Sequence, residues 1–178
     1  MKNLYLLFFI ISLIGFSQEN YLTKSGVLNF EASVESFEEI KASNTNVTAI
    51  INTSNGQFAA LALVKGFRFK NALMEEHFNE NYAESDEFPK ATFKGELTGF
   101  SIENLQNSYN INGTLSFHGV TKSIKNVLVE VTPSKNTLKL KGSFVITPND
   151  FDIEIPKIVR SKIADSVDVV FEFELQKK

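Results

Sequence analysis

Apolar and polar residues alternate one by one along much of this chain. In "VDVVFEFEL" the residues Val167, Val169, Phe171, Phe173 and Leu175 share one parity, while Asp168, Glu172 and Glu174 take the other. In "LKLKGSFVI" Leu138, Leu140, Gly142, Phe144 and Ile146 stand against Lys139, Lys141 and Ser143. "YNINGTLSF" groups Tyr109, Ile111, Gly113, Leu115 and Phe117, and "ATFKGELTG" groups Ala91, Phe93, Gly95, Leu97 and Gly99. A period of two is that of a strand with one dry face and one wet face. Runs at 24–34, 45–53, 57–69 and 122–132 bring the predicted strands to eight.

Turn chemistry separates these runs. Asn55-Gly56 is a strong hairpin signal because both residues tolerate positive φ, and His118-Gly119 and "TPSKN" at 132–136 read as two more turns. Eight strands joined mainly by short hairpins predict an all-β fold, an eight-stranded antiparallel up-and-down barrel, with a strongly bent sandwich as the alternative. Closure into a barrel also removes the exposed sheet edges.

One segment breaks the alternation. Residues 71–82, "NALMEEHFNENY", follow a helical period instead. On a wheel Leu73, Met74, Phe78 and Tyr82 fall on one side with His77 and Asn81 between them, and Glu75, Glu76, Asn79 and Glu80 fall opposite. This predicts a short helix lying on the barrel as a lid or plug. A metal site is a poor fit, because the only other histidine, His118, is some forty residues away in a turn and neither H-E-x-x-H nor H-x-x-E-H is present. A histidine packed at the contact between helix and barrel is the simpler expectation for His77.

Residues 1–17, "MKNLYLLFFIISLIGFS", have the layout of a secretory signal peptide: Lys2, an apolar run from Leu4 to Ile14, then Gly15 and Ser17 at −3 and −1 of a cut before Gln18. The run is too short to span a bilayer, and no later run is long enough. The expectation is a leader at 1–17 and one barrel domain at 18–178, exported to the periplasm or beyond. The chain has no cysteine, which excludes a lipid-anchor thiol, a disulfide and a thiolate metal site. Removal of 17 of the 178 residues leaves 161, enough to bury roughly 70% of the unfolded surface in one domain. The formal charge of −3 leaves no basic excess for a nucleic-acid partner. An outer-membrane barrel would show the same alternation, and the lack of a terminal aromatic in "ELQKK" counts against it.

Three ordered motifs carry a likeness to a known family. An aromatic-Pro pair leads into a strand at Phe88-Pro89 and Phe93, a Gly-x-Leu-x-x-His-Gly-Val-Thr-Lys turn runs from Gly113 to Lys122, and Asp150-Phe151 precedes a final strand with Asp165 and Val167. Over roughly residues 67–176 the chain resembles the YceI-like family of exported lipocalin-like barrels. The resemblance implies an apolar interior that holds a long isoprenoid, such as a polyprenyl quinone or polyprenyl phosphate, with no cofactor and no catalytic residues. Where that family carries Arg-Asp-x-His-Leu at the helix, this chain has "NALMEEHFN", and "KSGVLNFEASVESF" matches loosely.

The mid-strand glycines Gly95, Gly113 and Gly142 admit two readings. They leave room for a tunnel lined by Phe93, Leu97, Leu115, Phe117, Leu140, Phe144, Val169, Phe171 and Phe173, or they permit sharp coiling while large neighbours fill the gap. The resemblance favours the tunnel. Candidates for the lid and for contact with a ligand head group are Met74, His77, Phe78 and Asn81, together with Lys157, Arg160 and Lys162 of "PKIVRSKI". The plain alternative for that basic cluster is a solvated loop. Three function classes are thus ordered: a carrier of an apolar ligand first, a scaffold protein with a filled barrel second, and an enzyme last, since no nucleophile–base pair or metal cluster can be assembled.

Overall fold

A computed structural model describes residues 20–35 and 37–178, so the expected leader lies outside the described residues. Nine strands follow in chain order: β1 (Asn20–Glu31), β2 (Lys41–Asn52), β3 (Gln57–Leu63), β4 (Arg68–Phe69), β5 (Lys90–Leu97), β6 (Ser108–Phe117), β7 (Val120–Pro133), β8 (Thr137–Ile146) and β9 (Val167–Lys177). A helix, α1 (Ala72–His77), continues into a single wider π turn at Phe78–Tyr82. Each long strand pairs antiparallel with the next, and β1 pairs with both β2 and β9. Eight long strands thus close an up-and-down barrel with one short helix, as the alternation predicts.

Along β9 the inward residues Val169, Phe171, Phe173 and Leu175 are buried while Asp168, Glu174 and Gln176 are exposed. Lys139 and Lys141 of β8 are likewise exposed on the outside. A barrel wall facing lipid would need apolar residues there, so this wall faces water. Among the described residues no helix is long and apolar enough to cross a membrane.

On the outer face Lys139 Nζ lies 2.6 Å from Glu172 Oε1. The hydrogen bond from Lys139 holds the Glu172 carboxyl below its ordinary value of 4.5. A depressed carboxyl contributes stability above its unfolded value and loses it as pH falls through the folded value. Glu172→Gln is therefore expected to flatten the acid limb of stability between about pH 5 and 3, measured as urea midpoints across that range, and to leave the neutral-pH slope unchanged.

Two departures from strict alternation have local causes. The predicted run at 57–69 breaks after Leu63 into a 3-10 turn, Val64–Gly66, before resuming as β4 on β2. Asn44, 1% exposed, donates from Nδ2 to the Leu63 carbonyl at 3.0 Å and accepts from Asn46 N at 2.9 Å, so a buried amide is satisfied only by bending the strand. Its amide also fills the space a Cβ at Gly66 would take. In β7 the register shifts between Ile124 and Val127 around Asn126, which has φ +57°. This bulge keeps Ile124 and Val127, of opposite parity, both on the core side.

One end of the barrel is solid. Ile51, Leu97, Leu138 and Leu175 are essentially inaccessible there, and Phe100 and Tyr109 close it with ring centroids 5.2 Å apart. The other end carries α1, residues 32–35 and 37–40, and the irregular segment 147–166.

Candidate ligand-binding cavity

At the helix end the barrel opens into a cavity of about 440 Å³, apolar over most of its surface. The wall comes from six strands: Leu28 and Phe30 of β1, Phe69 of β4, Ala91 of β5, Leu115 and Phe117 of β6, Phe144 and Ile146 of β8, and Val167 and Val169 of β9. Below it lies a smaller pocket of about 70 Å³, bordered by Phe58, Phe93, Leu140, Phe171 and Phe173 among others. Leu28, Ala91, Leu115 and Phe144 border both, which makes them the neck between the two.

The helix covers part of the mouth and is bolted down by hydrogen bonds and rings. Asn71 caps it, with Oδ1 accepting from Leu73 N at 2.9 Å and Nδ2 donating to Glu38 at 3.0 Å. Glu75 accepts from Arg68 Nη1 and from Phe69 N, both at 3.0 Å, and so ties the helix to β4. Phe78 drops into a nest of Phe30, Phe67 and Phe69, with centroid separations of 5.3, 6.0 and 5.2 Å.

Met74, His77, Phe78 and Tyr82 border the cavity, but Leu73 is 56% exposed and Asn81 faces solvent. Leu73 stands about 140° from Phe78 on a helix of 3.6 residues per turn, so seating Phe78 turns Leu73 outward. The π turn, in which Ala83 N donates to the Phe78 carbonyl at 2.8 Å, advances each residue less and carries Asn81 away while Tyr82 stays at the mouth. In the basic cluster Lys162 borders the cavity, whereas Lys157 and Arg160 are exposed and do not. The polar residues at the mouth are Glu38, His77, Tyr82, Thr147 and Lys162.

The interior glycines lie under rings. A Cβ added at Gly142 would meet Phe171 Cζ at 2.6 Å, and one at Gly113 would meet Phe93 Cζ at 2.6 Å. Phe93 also covers Gly95, and Phe173 covers Gly26. Of the two readings of these glycines, the ring-filled one describes their surroundings. Gly95, Gly113, Gly142 and Leu97 border neither cavity, while Phe93, Leu140, Phe171 and Phe173 border only the small lower pocket.

Much of the lining comes from residues that the alternation does not single out. Phe151, Ile153, Ile155, Val159 and Ile163 belong to segment 147–166, where a 3-10 turn at Pro148–Phe151 is capped by Thr147. The signal available in "DFDIEI" is a short alternation of Phe151, Ile153 and Ile155 with acidic residues. His118, 10% exposed, pins this segment: its Nδ1 donates to the Phe151 carbonyl at 2.8 Å and its Nε2 faces Glu84 Oε2 at 2.8 Å. His118→Ala leaves a carbonyl unpaired beside the mouth and is expected to cost about 1–3 kcal/mol, read from urea unfolding.

Residues 17–175 match the YceI-like domain. The chain belongs to that family. Among solved structures, a polyisoprenoid-binding domain from Saccharophagus degradans implicated in plant cell wall breakdown is 17% identical, with 89% of this chain and 98% of that one covered and a TM-score of 0.77. BcnA of Burkholderia cenocepacia is 18% identical over 83% of this chain and 95% of that one, with a TM-score of 0.70. A YCEI protein of Campylobacter jejuni is 16% identical over 82% and 89%, with a TM-score of 0.64. At these identities the likeness is one of fold. In sequence, no curated protein matches the chain.

Proposed function

We propose that this YceI-like protein is an exported carrier that holds an apolar chain, of the polyprenyl quinone or polyprenyl phosphate class, inside its barrel for transport or storage. The observation that carries the reading is the apolar cavity of about 440 Å³ under a helix that covers part of its mouth. Burial of hydrocarbon is favourable at roughly 25 cal/mol per Å², so affinity needs no polar motif and the reading needs no catalytic group. The polar residues at the mouth suit a head group held near solvent while the chain lies inside. The similar Saccharophagus degradans domain, named for polyisoprenoid binding, adds support.

The scaffold reading draws on a different observation, the ring-filled lower half of the barrel. Native mass spectrometry of the protein purified gently from its exported compartment, followed by organic extraction, separates the two. A stoichiometric isoprenoid adduct is the expected result. A clean protein that also fails to take up added quinones and polyprenyl phosphates would put the scaffold reading first.

A further inference from the structure

Below the cavity, the small pocket ends on a floor of phenyl rings. Phe171 and Phe173 stack with centroids 5.3 Å apart, Phe173 and Phe58 stack at 5.9 Å, and Phe93 lies 6.2 Å from Phe58. Each of Phe93, Phe171 and Phe173 is seated over a glycine whose missing Cβ makes room for it. Beneath them the solid end of the barrel begins, with Leu97, Leu138 and Leu175 at 1% exposure or less. A chain entering from the mouth therefore meets the neck, the small pocket and then a wall.

The volumes set a length. A dry cavity of roughly 150 Å³ takes one benzene, which is about 25 Å³ per carbon. On that scale the 440 Å³ cavity holds about eighteen carbons and the 70 Å³ pocket about three more. We propose that the barrel selects a cargo chain of about fifteen to twenty carbons, three or four isoprene units, and that longer polyprenyl chains leave their remaining units outside the protein. This rests on the carrier reading above and narrows its ligand class. Each excluded unit would exchange a bilayer for water, which makes long chains poor cargo when membranes compete for them.

The test offers the protein an equimolar mixture of farnesol (C15), geranylgeraniol (C20) and octaprenol (C40) in phosphatidylcholine vesicles. The vesicles are removed by centrifugation and the protein-bound alcohols are extracted and quantified. The expected result is enrichment of the C15 and C20 alcohols over the C40 alcohol by about tenfold or more relative to the vesicles. Recovery of the C40 alcohol at the vesicle ratio or above overturns the length limit and leaves the carrier reading standing. Recovery of none of the three removes the carrier reading, and the limit with it. Phe93→Ala, which lifts one ring from the floor, is expected to raise the C40 share severalfold in the folded variant. An unchanged share there would show that the floor does not set the limit. The wild-type selection decides the matter by itself should that variant fail to fold.

Discussion

Ala91→Phe is expected to weaken binding of a prenyl chain by on the order of a hundredfold while leaving the barrel as stable as before. Ala91 is half-buried on β5 and borders both the upper cavity and the lower pocket, so a ring there projects into the neck. It displaces about six or seven carbons of cargo, each worth roughly 0.8 kcal/mol of burial, and part of that loss is recovered by the chain shifting toward the mouth. Filling a dry cavity adds contacts to the folded state, so the melting temperature should hold or rise. The measurement is a titration with a fluorescent farnesyl analogue beside a thermal melt of the same preparation. Undiminished binding in a folded Ala91→Phe variant would place the ligand somewhere other than this cavity.

The largest effect on stability is expected from Gly113→Ala. Gly113 pairs with Gly95 across β5 and β6, and the new methyl group would collide with the Lys94 carbonyl, with Phe93 Cζ at 2.6 Å and with the Gly95 Cα at 2.8 Å. Two of those three atoms are backbone of a paired strand, so relief requires separating the strands or unseating the ring. A loss of about 3 kcal/mol is expected, which for a domain of this size lowers the melting temperature by roughly 10 °C. Gly99→Ala is the useful contrast. Nothing lies within 4 Å of a Cβ at that position, and only its φ of +72° opposes the change. That variant should lose about 1 kcal/mol. Equal losses at the two positions would mean that the collisions at Gly113 are relieved at little cost and do not explain why it is a glycine.

These glycines also mark where sequence reasoning stops. Alternation in β6, β8 and β9 identifies the inward faces because each residue's side is decided within its own strand. Whether the space above Gly142 is empty depends on Phe171, which lies opposite in register on β9. No periodicity within β8 contains that fact. The break after Leu63 depends in the same way on Asn44, nineteen residues earlier. On the helix the wheel places Met74, Phe78 and Tyr82 on the covering side, but the π turn and the pull of the Phe30, Phe67 and Phe69 nest decide that Leu73 and Asn81 face water. The mouth was the least legible part of the chain. Under a third of its lining comes from segment 147–166, whose irregular backbone is held by contacts such as the His118 bond to the Phe151 carbonyl rather than by any repeat.

Acidic and basic groups at the mouth leave the cavity itself apolar, so the strength of this site lies in volume and surface rather than in any single residue. That places the weight on where a chain goes when it binds. The decisive measurement is a crystal structure of the protein with a farnesyl chain carrying a terminal bromine, located by its anomalous signal. The bromine is expected at the neck, beside Leu28, Leu115 and Phe144, with the head group between His77 and Lys162. A bromine found on the outer wall, or an interior that stays closed to a chain bound elsewhere, would contradict a carrier whose cargo lies inside the barrel.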